Sequence, residues 1–416
     1  MRAMKDSGIP WIGEIPEGWD TRRLRYLCLI STGNQDTQDN DPDGEYPFYV
    51  RSPIVERSHR YTFEGPAILM AGDGVGAGRI FHRVSGKYAC HQRVYSLQHI
   101  HDIDLAFLFY YLRELFSIIL GMTNAKSTVD SVRLPMLQDF VTMLPPSAEQ
   151  AAIAGYLDAR CGEIDQVLTK TRESIEEYKK LKQSVITEAV TKGIRPNRNM
   201  KPSGIEWIGD IPAEWEICRK LSYLCDKGIS YGIVKLFEPD DENGVFVLRC
   251  SDVLPGKISL DNVRTVSQAV SNEYARTILS GGEIVINVRG TLGGCAVVPD
   301  GLKGFNIARE VAMVSLTNEV CNRFFMYYLL SSAFSEYENS HLSGSVYIGL
   351  NIELLASTPV LTPSFLEQQE IASYLDTRCA EIDRLIAKKE QIITELENYK
   401  KSLIYECVTG KREVTG

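Results

Sequence analysis

No run of eighteen apolar residues occurs anywhere in the 416-residue chain, so no membrane-spanning helix and no membrane partner are expected. The opening Met1-Arg2-Ala3-Met4-Lys5-Asp6 lacks an apolar core, so no secretory signal is expected, and the expected location is cytoplasmic. Ten cysteines form neither CxxC pairs nor a regular spacing. That argues against a zinc ribbon or a disulfide framework and for reduced thiols. His82, Cys90, His91, His99 and His101 match no zinc spacing, so no metal site is expected. There is no GK[ST] following a glycine loop, no G-x-S-x-G elbow, and no Asn-Pro-Pro-aromatic run of the kind that amino-methyltransferases use to grip a flipped base. With no catalytic constellation and no cofactor motif, the chain is expected to do its work by binding.

What is present is written twice. Ser7-Gly8-Ile9, Trp11-Ile12-Gly13-Glu14-Ile15-Pro16 and Trp19 return as Ser203-Gly204-Ile205, Trp207-Ile208-Gly209-Asp210-Ile211-Pro212 and Trp215, and these copies hold all four tryptophans. Tyr26-Leu27-Cys28 answers Tyr223-Leu224-Cys225, and Tyr110-Tyr111-Leu112 answers Tyr327-Tyr328-Leu329. The strongest match joins Tyr156-Leu157-Asp158 through Ile164-Asp165 to Tyr374-Leu375-Asp376 through Ile382-Asp383. A period near 200 residues is too long for a solenoid unit, so the repeat is a domain followed by a helix.

Each half reads as mixed α/β. Strand signals fall at Tyr46–Val50, Ala67–Met70 and Arg93–Leu97, answered by Val245–Leu248, Glu283–Val288 and Val311–Val314. Leu105–Leu120 and Arg323–Phe334 carry helical apolar spacing and predict one buried helix each. Pro145-Pro146-Ser147 and Thr362-Pro363-Ser364 then open two long helices, with Glu149 or Glu367 in the first turn and Gly193 or Gly410 at the end. Their apolar positions run Leu157, Cys161, Ile164, Leu168, Ile175, Tyr178 and Leu375, Cys379, Ile382, Ile386, Ile393, Leu396, Tyr399, Leu403, a heptad seam flanked by charge and interrupted by Thr171 and Lys389. A helix of about 45 residues would be about 68 Å long. Such exposed stripes predict an antiparallel coiled coil with a globular domain near each end. The expected boundaries are a first domain over 1–146, a helix over 147–193, a linker over 194–202, a second domain over 203–363 and a helix over 364–416.

A net charge of −9 argues mildly against nucleic acid, yet residues 51–93 carry seven basic and three acidic side chains. Gly72-Asp73-Gly74-Val75-Gly76-Ala77-Gly78 and Arg289-Gly290-Thr291-Leu292-Gly293-Gly294 both read as tight turns between strands. Around them cluster Arg79, His82, Arg83, His91, Gln92 and Arg93 in the first half, and Asn287, Arg289, Lys303, Asn306 and Arg309 in the second, joined by Lys126 and Arg249. Arg with Asn or Gln is the chemistry that reads base edges in the major groove, while Lys and Arg also hold phosphates. The alternative is a nucleotide-dependent enzyme in which the Gly72–Gly78 loop cradles phosphate.

The paired Trp-Ile-Gly-[Glu/Asp]-Ile-Pro-x-x-Trp motifs resemble the specificity subunits of type I restriction–modification systems. So do the helix starts Glu149-Gln150-Ala151-Ala152-Ile153-Ala154-Gly155-Tyr156-Leu157-Asp158 and Gln368-Gln369-Glu370-Ile371-Ala372-Ser373-Tyr374-Leu375-Asp376. In the second copy Glu367 stands immediately before Gln368. The resemblance implies two target-recognition domains that each read half of a bipartite double-stranded DNA site, with the helices as a ruler. It also implies two adenine-methylating partner subunits using S-adenosylmethionine and, in the larger assembly, restriction subunits using ATP with Mg. Two similar domains suit half-sites about one turn of DNA, ~34 Å, apart.

Overall fold

The computed structural model describes residues 2–123, 131–234, 244–342 and 349–414. They divide into two compact units, Met1–Arg172 with Glu390–Gly416, and Glu173–Lys389. The division does not follow the order of the repeats. It cuts both long helices, Ser147–Lys192 and Phe365–Val408, so each unit joins one globular domain to the first half of one helix and the second half of the other.

In the first unit the two four-stranded sheets are built from β1 (Leu29–Thr32), β2 (Tyr46–Tyr49), β3 (Val55–Ser58), β4 (Phe63–Glu64), β5 (Ala67–Ala71), β6 (Phe81–Val84), β7 (Lys87–Cys90) and β8 (Val94–Gln98). One antiparallel sheet runs β1-β8-β5-β6, and a second runs β3-β2-β7-β4 with β2 and β7 parallel. All five residues of β5, Ala-Ile-Leu-Met-Ala, are buried, as an apolar run in an interior strand requires. In the second unit the corresponding two sheets are built from β9 (Ser230–Tyr231), β10 (Val245–Leu248), β11 (Arg264–Val266), β12 (Ile284–Asn287), β13 (Cys295–Val297), β14 (Asn306–Ile307) and β15 (Val311–Val314). They repeat the plan as β9-β15-β12-β13 and β11-β10-β14, with β10 and β14 parallel. The same device closes each copy. A Cβ on Gly33 would stand 1.9 Å from the Cys90 carbonyl oxygen, and one on Gly232 would stand 1.8 Å from that of Ile307. Only glycine admits this close backbone approach.

The helix Leu105–Thr123 packs in the first unit as a single element. Its counterpart is not the one helix that the spacing predicts over 323–334 but two, Asn322–Leu329 and Ser332–Leu342. The break is stabilised from outside. Gln183 of the first long helix donates to the Leu330 carbonyl at 2.8 Å, and Thr187 accepts from the Ser332 amide at 2.9 Å. The backbone groups freed by the break therefore keep partners.

Each domain is pinned to its helix start by the repeated motifs. Trp19 is fully buried and donates from Nε1 to Glu149 at 3.0 Å, while Arg2 stacks 5.6 Å over the indole and pairs with the same carboxylate. Trp215, Glu367 and Arg198 repeat this arrangement, with distances of 3.2 and 5.6 Å. Burial raises the Glu149 carboxyl, but the bonds from Arg2 and Trp19 outweigh it and hold the group below its ordinary range. Further along, the Tyr110 hydroxyl donates to Asp158 and that of Tyr327 to Asp376, both at 2.8 Å.

Within each unit the helix segments run antiparallel. Lys400 donates to Asp165 at 2.6 Å in the first unit, and Lys182 donates to Asp383 at 2.7 Å in the second. These are the same two repeat positions, with the donor supplied by opposite helices. Of the seam residues, Leu157, Ile164, Leu168 and Ile175 are buried, as are Leu375 and Ile382; Tyr178, Ile386, Ile393 and Leu396 are half-buried. The heptad reading fails at Tyr399, which is 51% exposed while Lys400 beside it is 7% exposed. A 3.6-residue turn drifts from a strict heptad, and by this point the drift brings the next residue inward, where Asp165 meets its charge.

Candidate nucleic-acid interface

The sheet register brings four loops of the first domain to one end. Gly72 follows β5 and its amide bonds to the Arg93 carbonyl at 2.9 Å; His91 donates its amide to Tyr49 at the end of β2; Gln35, just after β1, bonds to Cys90. This end holds Arg51, Asp73, His91, Gln92, Arg93 and the loop 33–39. Asp73 is its hub: one carboxylate oxygen takes Arg51 at 3.0 Å and the other takes Arg93. Burial raises the Asp73 carboxyl, yet the two guanidinium groups outweigh it and keep the group below its ordinary range. The equivalent end of the second domain holds Arg249, Arg289 and Arg309. There Val288 and Arg289 donate their amides to Glu310, and the Arg309 amide bonds to Ile233.

The predicted contact residues fare unequally. Asn306 is fully buried, donating to Ser271 Oγ at 3.1 Å and accepting from Thr277 at 2.7 Å. Asn287 is 2% exposed and donates to the carbonyls of Cys250, Val253 and Thr291. His91 is equally buried, between Asp36 at 3.3 Å and the Arg93 amide at 3.0 Å. All three are internal brackets for the turns, which corrects the expectation that they meet DNA: spacing marks their place beside the turn but not their direction. His82 is half-buried with its ring 5.0 Å from Tyr49, and burial lowers its pKa. Arg83 pairs with Asp158 at 3.1 Å and lies over Phe109, so it too belongs to the junction of domain and helix. Arg79 is exposed but lines a 630 Å³ groove with Arg113, Asp165, Arg172 and Lys400, away from the loop end. Lys303 is exposed beyond β13, at the opposite end of its sheet from Arg289, because β12 and β13 pair Ile284 with Val297. Arg249 closes its own turn on Asp252 and the Asn262 carbonyl. Lys126 lies outside the described residues. Gln92, Arg93, Arg289 and Arg309 remain exposed at the loop ends, with Arg289 5.6 Å over the Tyr231 ring.

The basic bias of residues 51–93 is thus largely met inside the domain. Asp39 takes Arg60, Asp41 takes His59, and Asp73 takes two arginines. Sequence reasoning missed Arg51, Asp73 and Glu56 as members of this end. The signal available for two of them was position: Arg51 ends a strand and Asp73 interrupts the glycine run.

That glycine run does not cradle phosphate in the manner of a nucleotide loop. It joins β5 to β6, with no helix opening behind it. Its glycines answer to packing: a Cβ on Gly72 would meet the Arg93 carbonyl at 2.8 Å, and one on Gly78 would meet Phe116 at 3.0 Å. Among the described residues no cluster of three or more His, Cys, Asp or Glu could hold a metal ion, and no helix is long and apolar enough to cross a membrane.

Two domains of one plan, each ending in exposed arginines on divergent loops, define a class of duplicated recognition proteins. The family model for the type I restriction modification DNA specificity domain matches this chain twice, over residues 16–177 and 212–398, and the chain belongs to that family. It is similar to the type I restriction enzyme MjaVIII specificity subunit of Methanocaldococcus jannaschii, 26% identical over 96% of this chain and 94% of that protein. It is also similar to the EcoDI specificity subunit of Escherichia coli, 23% identical over 96% and 90%. A solved structure from work on complex assembly and conformational transition of a type I restriction–modification system shares the fold, with a TM-score of 0.69 at 17% identity over 96% of this chain and 99% of that one.

Proposed function

We propose that this chain is the DNA-specificity subunit of a type I restriction–modification complex, not itself an enzyme, in which each domain reads one part of a split target. The paired helices set the gap between the parts and dock two adenine methyltransferase subunits. Those partners bring S-adenosylmethionine and flip the base, and restriction subunits of the larger assembly use ATP with Mg. One observation supports the reading above the others: the scaffold repeats residue for residue at Trp19/Trp215, Tyr110/Tyr327 and Asp165/Asp383, while the loop ends differ. Contacts common to both halves can serve identical partners, and contacts that differ can read different bases.

The test is methylation mapping. Co-expressed with its methyltransferase, the chain should direct adenine methylation to one motif of two short defined parts and a fixed undefined gap. A continuous motif, or none, would remove the two-reader model.

A further inference from the structure

At the loop end of the first domain lies a cleft of about 280 Å³ whose walls include Thr37, Arg51, Glu56, Asp73, Val75 and His91. Its polar groups are unusually mixed. Glu56 Oε2 is buried and has no hydrogen-bond partner among the described residues. A carboxylate oxygen buried without a donor is costly, and a ligand N–H would relieve that cost. On the neighbouring wall, Arg51 is held on one oxygen of Asp73, and Arg93, beside the cleft, is held on the other with its side chain 60% exposed. Val75, 91% exposed, stands at the rim.

This set selects its ligand. A phosphate would be repelled by Glu56, so the cleft is not a backbone anchor. A cationic peptide would be repelled by Arg51 and Arg93. An acceptor-only carboxylate beside guanidinium groups is complementary to an N–H donor next to two adjacent acceptors. In the major groove a G·C pair displays that pattern, with cytosine N4 as donor and guanine O6 and N7 as acceptors. We infer that this cleft reads a G·C pair of the first half-site, Glu56 accepting from cytosine and Arg93 donating to guanine, with Asp73 as the residue that positions Arg51 and Arg93. The inference rests on the proposed function and deepens it. The second domain differs at the same place: β2 pairs Phe48 with Glu56, and β10 pairs the equivalent Val247 with Arg264. A carboxylate in one half and a guanidinium in the other is the difference that two unlike half-sites need.

The experiment maps adenine methylation by the co-expressed complex carrying wild-type chain, Glu56→Gln or Arg93→Ala. The wild-type motif should contain a fixed G·C pair in one half. Glu56→Gln should relax that position, raising methylation of sites with A·T there by roughly tenfold relative to G·C sites, because glutamine both donates and accepts. Arg93→Ala should relax the same position or its neighbour. The other half and the gap should stay unchanged, which also shows that the variant complex is folded. A Glu56→Gln motif identical to wild type, a change in the other half, or a wild-type half without G·C would overturn the base assignment while leaving the split-target reading intact. Absence of any split motif in the wild type would instead defeat that reading.

Discussion

Residue identity here is decided more by what a side chain touches than by its neighbours in sequence. Asn287 and Asn306 carry base-reading amides, yet both spend them on turn carbonyls and hydroxyls inside the domain. Glu338 shows the opposite situation, a charge-bearing group in a place that disfavours charge. It lines a cavity of about 780 Å³ in the second unit, beside Cys295 and Cys379, and burial pushes its carboxyl up from 4.5 to about 7. The folded chain therefore holds this proton over a pH range in which the unfolded chain has released it. No stability is lost to this group below about pH 4.5; the loss grows as pH rises through 7 and is complete above it. Glu338→Gln should leave the thermal midpoint unchanged at pH 4.5 and raise stability at pH 8 by about 1–2 kcal/mol, allowing for the solvent that still reaches the group. Equal midpoints for the two proteins at pH 8 would show that Glu338 ionises there without cost.

At the scale of elements, periodicity and capping residues made the long helices legible, and alternation with turn residues marked most central strands. Three things were not legible. The split of 322–342 into two helices depends on Gln183 and Thr187, some 145 residues earlier, which take the freed backbone groups. The shift from Tyr399 to Lys400 depends on an acidic partner on the other helix. The role of the Trp motifs depends on Arg2 and Arg198, whose alignment ahead of each motif was visible at an equal offset of 196 but whose destination was not. These two junctions are built alike and differ in burial. The Arg198 and Glu367 side chains are 8% and 5% exposed, those of Arg2 and Glu149 27% and 18%. Glu367→Gln strands a buried guanidinium, and although Glu214 still pairs with it, a loss of about 2–4 kcal/mol is expected. Glu149→Gln should cost about 1–2 kcal/mol, since water reaches that pair. Urea unfolding of the two variants compares them directly, and an equal or reversed order would mean that the Trp–Glu bonds, not the arginines, dominate the junctions.

For the whole molecule, the duplication separates what must be constant from what must vary. The exchange of Lys182–Asp383 for Lys400–Asp165 lets each helix serve both units by the same chemistry, so a change to the helices leaves every loop-end residue where its own domain puts it. Target choice and target spacing should then be separable. Inserting seven residues of matched heptad sequence into the middle of both long helices adds about 10.5 Å to each at 1.5 Å per residue. At about 3.4 Å per base pair, the undefined gap of the methylated motif should lengthen by about three base pairs, with both defined parts unchanged. The insertion must enter both helices, because one lengthened alone would shift the antiparallel register by seven residues and separate Lys182 from Asp383 or Lys400 from Asp165. Sequencing the methylated adenines of cells carrying the doubly extended chain reads gap and parts together. A lengthened gap with the original parts is the expected result. A motif with altered parts would mean that the helices shape the reading loops, and an unchanged gap would mean that something other than the helices sets the spacing.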